Sequence, residues 1–187
     1  MHKTLPVLLI GWLLATVAQP LAVLPLVALG YFTMKVKTGK TRDAGPVKVL
    51  FAADGLGFVV WLAMLPQLTL PVAALSAIAI GLLGGLLAHI LLTHARTRLQ
   101  AFHRLLPFAG FASAMLSVLC LLWLTSQYDE VQVQAMTSTI IGALVLMVCA
   151  LLVWAMHLLT NKTVNRWQLM IAGGLLIGSA YMQSGLF

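Results

Sequence analysis

Three residues sit in surroundings that do not suit them, and they are the ones whose chemistry matters most: Asp54, His89 and His157, each inside a long apolar run. An ionised Asp near the centre of a membrane helix costs at least about 2.5 to 3.5 kcal/mol on insertion scales, so such groups tend to be kept for handling protons or ions. Asp54 lies seven residues past Val47, about 10 Å in from that end of its run. Gly55 and Gly57 leave the backbone beside it open to close approach. Two readings stand for Asp54: a protonatable or cation-binding carboxylate facing a bundle interior, or an interfacial residue reaching toward headgroups.

His89 lies six residues before Ala95 and His157 three before Thr160, which puts them about 9 Å and 5 Å from the same side. Asp54, His89 and His157 therefore share a layer in one half of a bundle, where carboxylate and imidazoles would share a proton and lower one another's burial cost. Depth follows from the order of the runs, whereas rotation about each helix axis does not. Two histidines on different helices also suit bis-imidazole ligation of a single haem b. The reading of the residues is no resident cofactor, with haem b as the alternative. Cys120 and Cys149 stand alone in apolar runs, without metal-site or redox spacing, and read as small hydrophobes. No G-x-S-x-G, H-E-x-x-H, P-loop or dinucleotide fingerprint is present, and the reading leans away from an enzyme.

The elements that must position these groups follow from composition. Apolar residues make up 61% of the 187 and charged residues 8%, and mean hydropathy is +1.03. Soluble domains run at roughly 45–50% apolar and about 25% charged, so a soluble globule is excluded. Six apolar runs approach the ~20 residues that cross a hydrocarbon core: 5–34, 47–65, 70–95, 105–125, 135–160 and 167–187. Backbone groups unpaired in lipid dictate helix, and the alternation of a membrane barrel strand is absent. The expected fold is thus a single all-α transmembrane domain, 1–187, a compact bundle of about six helices. A secretory leader is conceivable in the first twenty residues, but apolar character continues past Pro20 and Pro25 to Met34, so the segment reads as retained. As one helix, 5–34 would be about 45 Å long against a core of about 30 Å. Pro20 and Pro25 suggest one long, kinked and tilted crossing, with a re-entrant hairpin that returns the N-terminus to the cytoplasmic side as the alternative.

Charge sets the orientation. The net charge is +7, and every Lys and Arg except Lys3 falls in the breaks 35–48, 96–104 and 161–166. Those loops should be cytoplasmic, Asp129-Glu130 and both termini periplasmic, and the membrane a bacterial inner membrane. The basic collar suits anionic headgroups and gives no reason to invoke nucleic acid. Trp61, Trp123, Tyr128 and Tyr181 near outer ends, with Tyr31 and Trp167 near inner ends, read as interfacial anchors.

Small residues recur at helical spacing: Ala73, Ala77, Gly81 and Gly85 leading to His89, with Gly142, Gly174 and Gly178 in later runs. Close helix packing in lipid uses such faces, so these residues imply a tight bundle that is homo-oligomeric or joined to other membrane subunits. Gly84-Gly85-Leu86-Leu87 and Gly173-Gly174-Leu175-Leu176 echo one another, as halves of an inverted repeat would. Two function classes remain. One is a carrier, channel or proton-coupled subunit working through an Asp/His pocket; the other is a non-catalytic structural or assembly subunit of a membrane complex.

Overall fold

A computed structural model describes residues 5–35, 37–38, 43–44, 46–95, 100–160 and 163–186. Lys3, Lys40, Arg42, Arg96, Arg98 and Lys162, on which part of the orientation argument rests, lie outside the described residues. Among the described residues the fold is all-helical apart from one two-residue ladder. The chain divides into two compact units, Met1–Leu68 and Thr69–Phe187.

In the first unit, the run 5–34 is not one long kinked helix. It comprises α1 (Leu5–Ala18) and α2 (Val23–Lys35), parted by Gln19 in extended backbone (φ −139°, ψ 106°) and a tight turn at Pro20–Ala22. Proline lacks an N–H and disfavours helical backbone in the residue before it, so Pro20 ends α1 instead of bending it. Pro25 falls in the first turn of α2, where the missing N–H costs nothing. α1 packs back along α2. At about 21 Å and 20 Å, neither reaches across a ~30 Å core. β1 (Lys37–Thr38) pairs antiparallel with β2 (Asp43–Ala44). α3 (Val47–Met64) follows, burying Ala53 and Val60 on one stripe, and Gly57 receives the indole of Trp12 from α1.

The second unit is a four-helix ring: α4 (Leu70–Ala95), α5 (Gln100–Thr125), α6 (Glu130–Leu159) and α7 (Arg166–Ser184). α4 packs on α5 and α7, and α6 on α7 and α5, so each helix has two neighbours. The core gathers Leu82, Leu86, Met147, Trp154, Leu169 and Leu176. Large apolar side chains such as Phe108, Leu119, Val145 and Ile177 point outward, a distribution that suits a hydrocarbon solvent. Among the described residues, four helices are long and apolar enough to span: Val47–Gln67, Leu70–Thr93, Leu105–Thr125 and Glu130–Leu159. α7, with 19 residues, is about 28 Å long but carries Gln168, Ser179 and Gln183 within it. The six apolar runs thus resolve into four such spans plus three shorter or more polar helices.

α6 starts five residues earlier than the apolar run that announced it. The side chain of Gln132 accepts the Asp129 N–H at 3.4 Å, satisfying one of the donors stranded at a helix start and carrying the helix into polar sequence. α7 begins similarly, with Asn165 Oδ1 accepting the Trp167 N–H at 3.2 Å.

Candidate functional site

Trp154 is the centre of the second unit. Its side chain is fully buried, and its indole lies in a slot formed by two glycines of neighbouring helices. A Cβ on Gly85 of α4 would sit 3.7 Å from the ring, an ordinary contact. On Gly110 of α5 it would fall 2.4, 2.8 and 3.0 Å from three ring atoms, so the ring occupies the space a side chain would need. Glycine is thus required at position 110 by close approach alone.

A buried indole N–H needs an acceptor. Nε1 of Trp154 donates to Nδ1 of His89 at 2.8 Å, from α6 to α4. One turn further along α6, Nδ1 of His157 donates to the Trp154 carbonyl oxygen at 2.9 Å. The rings of His89 and His157 meet edge to face with centroids 5.4 Å apart. His89 is 0% exposed and His157 5%.

These two bonds fix the tautomers. Nδ1 of His89 accepts, so its proton is on Nε2; a carbonyl can only accept, so His157 carries a proton on Nδ1. One residue, Trp154, therefore gives the Nδ1 atoms of adjacent imidazoles opposite roles, acceptor in His89 and donor in His157, which in neutral rings are opposite tautomers. Gln168 of α7 supports the arrangement by donating to the carbonyls of Val153 at 2.6 Å and Trp154 at 3.5 Å. The hydroxyl of Thr93 donates to the His89 carbonyl at 2.8 Å.

Thr93 and Gln168 also line a cleft of about 840 Å³, with Met156, Thr160, Asn165 and Arg166 among its other walls. The partners of the histidine pair thus reach the wall of a polar opening at the Arg166 end of the unit. A second polar junction joins α6 and α7 further along: Ser179 Oγ donates to the Ala143 carbonyl at 2.7 Å and accepts from Gln183 Nε2 at 3.2 Å.

Of the three residues singled out for chemistry, the structure brings His89 and His157 together. Asp54 belongs to the first unit and is exposed on α3, on the same face as the exposed Phe51 and Phe58. A haem between the imidazoles would have to part rings whose centroids are 5.4 Å apart. The small residues also divide. Gly85 meets Trp154, a Cβ on Gly178 would lie 3.5 Å from Leu146, and Gly142 lies under the end of Met182, all as a neighbouring helix requires. A Cβ on Gly81 would lie 4.0 Å from Ser113 Oγ, but Gly81 is itself exposed, as is Ala77, and a Cβ on Gly174 would meet nothing within 4 Å. Ala77 and Gly174 therefore do not pack helices within the unit.

Sequence reasoning missed Trp154 and Gly110. The signal for Trp154 was its position: a tryptophan deep in an apolar run, one turn before a histidine, has an N–H that lipid cannot satisfy. Gly110 carries no comparable mark, because only the path of a helix from elsewhere in the chain makes it necessary.

No curated protein and no solved structure matches the chain. A family model described as an integral membrane domain matches residues 5–181. The outward apolar surfaces and the long apolar helices are what such a family requires, and the chain belongs to this family of integral membrane domains.

Proposed function

We propose that the protein is a small proton-coupled carrier, channel or subunit whose proton site is the His89–His157 pair. The observation that carries this reading is the opposed tautomers set by Trp154. On this reading the pair takes up one proton, which converts His157 to its imidazolium. The imidazolium so formed keeps its Nδ1–H on the Trp154 carbonyl, so that bond survives protonation. Release reverses the step, and no electron moves. Of the groups on the surrounding helices, Arg166 lines the cleft, while Asp129 and Glu130 lie at the opposite end of α6. The cleft is the route by which water brings the proton. Asp54 serves as a second protonatable or cation-binding group, on the first unit.

Positive-inside bias supports a cytoplasmic location for the breaks 35–48, 96–104 and 161–166, and thus for the cleft, in a bacterial inner membrane. The turn at Pro20 with α1 packed along α2 favours a re-entrant hairpin, which brings the N-terminus back to the cytoplasmic side instead of the periplasm. A second reading, an assembly or structural subunit of a complex or homo-oligomer, draws support from Ala77, Gly81 and Gly84, which are small, exposed and spaced along one face of α4.

Proton flux into liposomes under an imposed pH gradient tests the first reading. Protein-containing vesicles should acidify faster than protein-free ones, and His157→Gln should reduce the excess at least tenfold. Equal rates in the variant and the parent, or no excess over empty vesicles, overturn it. Asp54→Asn should leave any assembly into a complex intact, whereas Gly81→Leu should disrupt assembly under the second reading.

A further inference from the structure

Ser117 of α5 is 5% exposed, and among the described residues its hydroxyl makes no hydrogen bond. A buried, unsatisfied hydroxyl is costly, so its surroundings matter. Ser117 lines a cavity of about 20 Å³ to which all four helices of the second unit contribute, together with Ser179 and Gln183 of α7 and the apolar side chains of Leu82, Met147 and Leu176. About 10–15 Å³ is enough for one water, and a cavity of that size is occupied when it offers two to four polar partners and dry when it is apolar.

The donors and acceptors here are complementary. Ser179 Oγ already donates to the Ala143 carbonyl and accepts from Gln183 Nε2. That leaves the second lone pair of Ser179 and the Oε1 of Gln183 as acceptors, in a cavity that is also lined by Ser117, whose hydroxyl has a proton to give. We infer that this cavity is a binding site for a single structural water, which accepts from Ser117 and donates to Gln183 Oε1 and Ser179 Oγ. The water ties α5 to α7 through the core and satisfies a hydroxyl that neither lipid nor protein answers. Leu82 lies seven residues before His89 on α4, about 10 Å away along the helix. The site is therefore separate from the histidine pair and independent of the proton reading.

The sign of one stability change decides the matter. In the full-length protein in lipid nanodiscs, Ser117→Ala should lower Tm by about 2–4 °C, because the water loses a partner. The double variant Ser117→Ala with Gln183→Met should melt no lower than Gln183→Met alone, since both act through the same water. A dry cavity gives the opposite sign in the single variant: Ser117→Ala leaves Tm unchanged or raises it. A high-resolution cryo-EM map supplies the direct check, with density within hydrogen-bond distance of Ser117 Oγ expected. An empty cavity, or a Ser117 hydroxyl turned onto its own helix backbone, overturns the inference.

Discussion

Replacing Gly110 with alanine adds one methyl group, and the geometry fixes where it goes: 2.4 to 3.0 Å from three atoms of the Trp154 ring. The ring cannot swing aside cheaply, because its Nε1 is bonded to His89 at 2.8 Å and its own helix is packed against α7. Overpacking a tight core costs about 1–3 kcal/mol, and this contact is at the severe end. Alanine in place of glycine returns about 1 kcal/mol of helix propensity. The net is a loss of about 2 kcal/mol, or a fall in Tm of about 4–8 °C for a chain of this length. Two controls carry the opposite expectation. Gly85→Ala makes an ordinary 3.7 Å contact with the same ring, and Gly174→Ala meets nothing within 4 Å, so both should hold or raise Tm. Thermal unfolding followed by circular dichroism in detergent or nanodiscs measures all three. If Gly110→Ala is as stable as Gly85→Ala, the indole does not occupy the slot described and the reasoning fails.

Trp154→Phe keeps an aromatic ring but deletes the donor to His89, leaving a buried acceptor unsatisfied at a cost of about 2 kcal/mol; Tm should fall by about 4–8 °C, and an unchanged Tm would contradict the bond. Ser179→Ala removes the links to the Ala143 carbonyl and to Gln183, worth about 1 kcal/mol, so unfolding should come about 2–4 °C earlier.

Hydropathy made much of the fold legible and little of the site. The run 70–95 is α4 to the residue, because lipid-length apolar sequence between polar breaks admits one helix. At 5–34 the same logic misled, since the two prolines were weighed as kinks while Pro20, by disfavouring helix at Gln19, ends α1 altogether. The start of α6 was placed late because hydropathy does not register Gln132 satisfying the Asp129 N–H. At the site, depth was readable and rotation was not: His89 and His157 share a level and also face one another, whereas Asp54, at a similar depth in its run, is exposed on α3. Trp154 escaped notice because tryptophans in such sequences usually sit at the interface, and its partner lies 65 residues away in the chain.

The proposed proton site rests on one tryptophan that donates a hydrogen bond to one imidazole and accepts one from the other. Nitrogen-15 NMR of histidine-labelled protein in lipid, with His89→Gln and His157→Gln used to assign the signals, reads this directly. His89 should show its protonated nitrogen at Nε2 and His157 at Nδ1. If both rings carry the proton at the same position in the parent protein, Trp154 does not set them, and the proposed proton site is wrong.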